Sequence, residues 1–161
     1  MHLAESTSGD GAAARVGSCA MNLIKIAAAA PLLLLTGAQG ISEVEVAIEG
    51  LRSGRGDVHL CLTRDPRHFP NCRDDPAAIK RTVPASTTRV TMNAAPGEYA
   101  LSVFHDENRN RELDTMLRIP REGFGFSRNP RIRFGAPRFR DVRVDIAPGF
   151  TRLSVRMQYM L

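Results

Sequence analysis

Residues 43–49 read Glu-Val-Glu-Val-Ala-Ile-Glu, so that apolar and acidic side chains alternate apart from Ala47. A period of two is typical of a β-strand that has one face buried and the other in water. Residues 58–63, Val-His-Leu-Cys-Leu-Thr, repeat this pattern. Further strand-like runs cover residues 79–83, 87–92, 98–104, 141–146 and 151–159. No stretch has the apolar period of a three-turn helix.

Short strands separated by Gly, Pro and Asn turns, without alternating helices, indicate an all-β protein. We therefore predict an antiparallel β-sandwich of about seven strands that forms a single domain over residues 41–161. Residues 106–138 lack clear periodicity and are predicted to form a long ordered loop. Phe124 and Phe126, together with Phe134 and Phe139, are expected to pack in the core rather than to form an aromatic ligand platform.

The amino-terminal part of the chain has the features of an export signal. Residues 21–40 combine the positively charged Lys25, an apolar run over 26–35 and small residues up to Gly40. The apolar run is shorter than the ~20 residues that a helix needs to span a bilayer. We expect cleavage, no membrane span afterwards, and a periplasmic or secreted location. Residues 1–20 are interpreted as a disordered lead or a mis-assigned start.

The chain is basic, with 22 Lys and Arg against 17 Asp and Glu and a formal net charge of +5. Such a charge can indicate affinity for nucleic acid or for anionic membrane lipids, above all when the cations form a run with interleaved aromatic residues. Here the arginines are scattered along strands and loops. A solvated surface is therefore expected, and no nucleic-acid partner.

Two cysteines, Cys61 and Cys72, lie in the predicted domain. An even pair in an exported chain favours a disulfide over a metal or redox site, because no CxxC motif is present. A loop of this length predicts a stabilisation of roughly 3 kcal/mol from chain entropy.

Residues 104–114, Phe-His-Asp-Glu-Asn-Arg-Asn-Arg-Glu-Leu-Asp, follow the strand at 98–104 and alternate oxygen-bearing side chains. This spacing is similar to that of a calcium loop, in which alternate positions supply the ligands. The predicted calcium ligands are Asp106, Asn108, Asn110, the backbone carbonyl of Glu112, and Asp114.

Two positions depart from the calcium-loop pattern. Counted from Asp106, position 6 is Arg111 instead of glycine and position 12 is Leu117 instead of a bidentate glutamate. Glu107 or Glu122 could complete the ligand shell. A Kd on the order of 10⁻⁴ to 10⁻³ M is expected for such a site. The alternative is a metal-free turn, because Asp and Asn are also preferred turn residues.

An enzymatic interpretation rests on His105 with the nearby carboxylates, which would make the protein a small periplasmic hydrolase or carbohydrate-active enzyme. However, His105 and Asp106 are neighbours in a strand and should point to opposite faces. No Ser or Cys occupies a recognisable nucleophile elbow in the predicted domain. A non-enzymatic protein is therefore the expectation.

The segment Pro96–Asp114, followed by residues 119–129 and 134–139, resembles a bacterial exported family called domain of unknown function 2141. The resemblance extends over residues 44–157. It implies an exported immunoglobulin-like or transthyretin-like sandwich with no established activity. Members of the family usually have glycine where this chain has Arg109 or Arg111. The arginine in place of glycine lowers the calcium affinity that we expect for this chain.

These observations predict a non-enzymatic exported binding module with a calcium loop and an unidentified protein or cell-envelope partner. The alternatives are the hydrolase described above and a metal-free structural or adhesion domain. The sequence leaves the oligomeric state open.

Overall fold

The computed structural model describes residues 40–161. The predicted lead at 1–20 and the predicted signal segment at 21–40, except Gly40, lie outside the described residues. Ten strands and one short helix follow in order: β1 (Ser42–Glu49), β2 (Asp57–Thr63), β3 (Ile79–Pro84), β4 (Arg89–Ala94), β5 (Gly97–Asp106), β6 (Thr115–Met116), β7 (Ile119–Pro120), β8 (Gly123–Phe126), α1 (Phe139–Val142), β9 (Val144–Ile146) and β10 (Phe150–Arg156).

The first sheet has three strands in the order β10-β1-β4. The alternating residues of β1 behave as predicted, because Val44, Val46 and Ile48 are buried while Glu43 and Glu49 are exposed. β1 pairs antiparallel with β4. Its pairing with β10 is parallel, so the antiparallel prediction does not hold for this one pair.

The second sheet has the strand order β3-β2-β5-β8, and β9 pairs with β5 beside β8. The long strand β5 is antiparallel to β2 along one edge, and on its other edge it pairs with β8 and then with β9. β5 therefore lies inside the sheet. The loop that follows Asp106 starts from a fixed position.

The main apolar core lies between the two sheets. It joins side chains of the first sheet, such as Val46 and Val155, to side chains of the second, such as Leu60, Leu101 and Val103. Each fully buried side chain of this kind contributes about 1.5–3 kcal/mol relative to an exposed one. The molecule is therefore an all-β, mainly antiparallel sandwich, as the alternation predicts.

A second apolar cluster covers the outer face of the second sheet. Ala100, Phe124, Phe126 and Val142 are buried there, with Phe69 packed against them. The prediction that Phe124 and Phe126 are core residues is confirmed. The same prediction is wrong for Phe134, which is 95% exposed.

The segment 106–138 is not a continuous loop, because it contains β8, a strand of the second sheet. All four residues of β8 are buried, so its sequence Gly-Phe-Gly-Phe shows no polar alternation. Gly123 and Gly125 lie against the carboxyl-terminal segment. A methyl group added at either position would come within 2.5 Å of side-chain atoms of Tyr159 or Val155.

The predicted strand at 141–146 is shorter than expected, since α1 occupies its first residues and β9 begins at Val144. Cys61 and Cys72 form a disulfide with a Cα–Cα distance of 6.4 Å. Both sheets, both apolar clusters and this disulfide lie within 40–161, so this region has a complete core of its own. In the same region, no helix is long and apolar enough to cross a membrane.

Candidate metal-binding loop

The candidate loop begins where β5 ends, and its backbone turns sharply twice. Arg109 and Arg111 have φ angles of 62° and 63°, in the left-handed region that glycine adopts at the least cost. The family resemblance of the sequence predicts glycine at Arg109 or Arg111. The arginine side chains project outwards, and Arg109 Nε lies 3.4 Å from Asp57 Oδ2 on β2.

Asp106 is the first predicted ligand, and its side chain is fully buried on the outer face of the second sheet. Its Oδ1 accepts a hydrogen bond from the N–H of Asn110 (3.0 Å), and its Oδ2 accepts one from the N–H of Arg111 (2.7 Å). Burial by itself would raise the pKa of this carboxyl. The hydrogen bonds from Arg111, His59 and Asn110 together outweigh burial and lower the pKa.

The other predicted side-chain ligands converge on one another. The amide groups of Asn108 and Asn110 donate to the two oxygens of Asp114, at 2.7 and 2.9 Å. Asn108 Oδ1 accepts the N–H of Asn110 at 3.0 Å, and Asn110 Oδ1 accepts the N–H of Glu112 at 2.8 Å. The loop is therefore wrapped on itself by its own Asp and Asn side chains.

Glu112 contributes differently from these residues. Its side chain is 68% exposed and lies 3.6 Å from Arg73. Within residues 40–161, no hydrogen bond reaches its backbone carbonyl. That carbonyl, the group predicted as a ligand, is consequently free of protein donors.

Glu122 supports the loop from β8's side of the sheet, and it binds the backbone of the loop. It is 4% exposed, and its carboxylate accepts the N–H of Glu107 (2.9 Å) and the N–H of Asp114 (3.0 Å). Glu107 is held by Arg52 and by Ser53 Oγ, and the Arg52 hydrogen bond is the largest cause of its lowered pKa. Neither glutamate completes a ligand shell in this arrangement.

The predicted donor set comprises two carboxylates, two amide oxygens and one carbonyl, and all are hard oxygen ligands of the kind that calcium prefers. Within the described part of the chain, no cluster of three or more His, Cys, Asp and Glu side chains could hold a metal ion. Leu117, at the position of the bidentate glutamate, is apolar and 89% exposed.

His105 does not join the carboxylates. It is fully buried on the inner face of the sheet, where its ring nitrogens lie 2.7 Å from the Arg55 carbonyl (Nε2) and 2.9 Å from the Tyr159 hydroxyl (Nδ1). Because a carbonyl only accepts, Nε2 carries the proton and Nδ1 accepts from Tyr159. Both nitrogens are occupied, and the expected separation of His105 from Asp106 across the sheet is observed.

The structure instead places His59 against Asp106, which sequence reasoning missed. His59 Nε2 lies 3.2 Å from Asp106 Oδ2, its Nδ1 lies 2.9 Å from Thr82 Oγ1, and its ring stacks on Phe104 at 4.5 Å. The register between β2 and β5 is the feature that brings His59 and Asp106 together. His59 pairs with Phe104, so it is a diagonal neighbour of Asp106 on the same face. No local motif reveals that register.

Comparison with known proteins identifies a family but no characterised relative. No curated protein and no solved structure matches the chain significantly. The model of one family, described as uncharacterized proteins conserved in bacteria (DUF2141), matches residues 46–154. The match begins within β1, ends within β10 and includes the whole candidate loop. The chain therefore belongs to the family called domain of unknown function 2141.

Proposed function

We propose that this protein is an exported, non-enzymatic β-sandwich module whose loop from Asp106 to Asp114 binds calcium. Export to the periplasm or the medium would place this weak site where calcium is abundant. Calcium would fix the segment after the loop, so that the module presents it to a protein or cell-envelope partner.

One observation carries this proposal: the side chains of Asn108, Asn110 and Asp114 converge while Asp106 anchors the loop to the sheet. In each asparagine the oxygen accepts one backbone N–H and retains a second lone pair. A calcium ion among these groups would replace the two amide donors that now bond to Asp114. The loop would thus exchange two charge-assisted hydrogen bonds for ion–carboxylate contacts.

Calcium bound in this way would link two elements. Asp106 is the last residue of β5, and Asp114 immediately precedes β6. An ion held by both carboxylates would fix the direction in which the chain leaves the sheet. Glu122, which holds the N–H groups of Glu107 and Asp114, would support the same geometry from β8's side.

The test is a thermal melt of residues 40–161 with 10 mM calcium, with EDTA and with 10 mM magnesium. A ligand at ten times its Kd stabilises the folded state by about 1.4 kcal/mol, which raises the Tm by several degrees. We expect this rise with calcium and a smaller one with magnesium, whose octahedral shell the loop fits poorly.

The variants separate the loop from the rest of the acidic surface. Asp114→Ala, and Asn108→Ala combined with Asn110→Ala, should remove the calcium response. Asp74→Asn is the matched control, because Asp74 is an exposed acidic residue on a different loop. A full calcium response in Asp114→Ala would overturn the assignment. No response in the wild-type protein would leave a capped turn in a metal-free structural domain.

A further inference from the structure

A small hairpin follows the candidate loop and pairs with neither main sheet. Thr115 pairs with Pro120 and Met116 pairs with Ile119, so Leu117 and Arg118 form a two-residue turn. The hairpin is thus a separate projection of the molecule.

The residues of this turn are unfavourable for its backbone. Leu117 and Arg118 have φ angles of 54° and 67°. Two-residue hairpin turns with positive φ at both positions strongly prefer sequences such as Asn-Gly. A leucine and an arginine in this conformation are costly, and no packing offsets the cost at Leu117, which is 89% exposed. Turn residues that are unfavourable for their backbone, and whose cost no packing offsets, are typical of a functional segment.

The hairpin is also the main apolar projection of the described surface. Of the eight large hydrophobic side chains exposed within residues 40–161, four lie between positions 113 and 119. We call these four the hairpin tip: Leu113 (37% exposed), Met116 (51%), Leu117 (89%) and Ile119 (41%). The other four are distributed singly along the chain.

The exposed charge of the hairpin itself is positive, although Asp114 and Glu122 flank it in the sequence. The carboxylate of Asp114 is bonded by two amide groups of the loop, and Glu122 is 4% exposed. Residues 115–121, Thr-Met-Leu-Arg-Ile-Pro-Arg, contain two arginines and no acidic residue. Among the ion pairs of the described region, none involves Arg118 or Arg121. These guanidinium groups are available to an anionic partner.

From these observations we infer that the hairpin tip inserts into the interface of a membrane that contains anionic phospholipid. An aliphatic projection flanked by cations matches such an interface, where apolar side chains enter the acyl boundary and arginines contact the phosphates. A lipid surface also accepts a convex tip without a preformed socket, which a protein partner would have to provide. The inference deepens the proposed function by naming the partner, and it rests on that proposal only for the role of calcium.

The experiment is co-sedimentation of residues 40–161 with vesicles of phosphatidylcholine alone and of phosphatidylcholine with 30% phosphatidylglycerol, each in EDTA and in calcium. We expect binding to the anionic vesicles that weakens at high salt. Leu117→Asp should reduce the partition coefficient by about tenfold or more, because it replaces an inserted side chain with a charge. Arg118→Gln with Arg121→Gln should reduce it on the order of tenfold.

The control is Phe134→Asp, which removes an exposed apolar side chain on a different loop and should bind as the wild-type protein does. Equal binding by Leu117→Asp, or equal loss in Phe134→Asp, overturns the inference. So does a wild-type protein that ignores anionic vesicles, which would leave the hairpin tip to a protein partner. If binding is the same in EDTA and in calcium, and Asp114→Ala changes neither, the lipid contact stands without a role for calcium. The thermal melt then decides separately whether the loop binds calcium.

Discussion

His59 Nε2 lies 3.2 Å from Asp106 Oδ2, although the two residues are 47 positions apart in the chain. The contact joins β2 to the first residue of the candidate loop. Asp106 also accepts backbone N–H groups from that loop, so one buried carboxylate fastens the loop to the sheet. The start of the loop is therefore fixed by the fold and does not depend on an ion.

Low pH should weaken the attachment of the loop to the sheet through Asp106. Because the folded pKa of Asp106 is lowered from 3.8, the folded state binds the proton less tightly than the unfolded chain does. The stabilisation from ionised Asp106 is complete above pH 3.8, the pKa of this carboxyl in the unfolded chain. It is lost as the pH falls through the lower pKa that Asp106 has in the folded state. We expect the Tm of Asp106→Asn to be lower than wild type at pH 6 and the gap to narrow by pH 2.5. A constant gap across this range would contradict the role of the charge.

Replacing Glu122 tests the link between the loop and β8. Glu122→Gln leaves one oxygen to serve two N–H donors and turns an amide donor towards one of them. We expect a loss of about 1–3 kcal/mol in the free energy of unfolding, measured by urea titration. The control Glu98→Gln, which removes an exposed pair with Arg143, should cost under about 1 kcal/mol. If the two variants lost the same free energy of unfolding, Glu122 would not link the loop to β8.

Close packing against β8 gives a third prediction. In Gly125→Ala the new methyl group would lie 2.5 Å from Val155 Cγ1, which is too close unless the sheets shift. Overpacking of this kind typically costs about 1–3 kcal/mol. Gly54→Ala is the control, because nothing lies within 4 Å of its added methyl group. Chemical denaturation of both variants should show the loss only in Gly125→Ala.

The turn of the hairpin should respond in the opposite direction. Leu117→Asn with Arg118→Gly supplies the residues that this backbone prefers, and we expect a gain of about 1 kcal/mol in stability. The same change removes part of the hairpin tip and one cation, so vesicle binding should fall. A variant that is less stable than wild type would contradict the cost assigned to Leu117 and Arg118 in this turn.

The disulfide should act mainly on the unfolded chain. Cys61→Ser with Cys72→Ser opens a link of sequence separation 11, for which chain entropy predicts a loss of about 3 kcal/mol. Reduction of the wild-type protein should lower its Tm to a similar extent. A midpoint that is insensitive to reductant would indicate that the loop at 64–77 holds itself by other contacts.

Part of the candidate site could be predicted from the sequence. The spacing of Asp106, Asn108, Asn110 and Asp114 predicts a polar loop around a cation, and the cation stays a prediction. The amides of Asn108 and Asn110 do bond to the Asp114 carboxylate. His59 could not be recognised, because its contact depends on the register between β2 and β5. The support from Glu122 could not be recognised either, since it requires β8 to lie beside β5.

The sequence by itself determined the all-β class and the buried faces of β1 and β2, because alternation with period two is a local property of the chain. Only the tertiary structure decided the parallel partner of β1, the strand made by Gly123–Phe126 and the contact of His59 with Asp106. Strand pairing joins residues far apart in sequence, and its free energy comes from packing that no local pattern records. A fully buried strand such as β8 is harder still to predict from sequence. Both of its faces are buried, so its residues show no alternation of apolar and polar side chains.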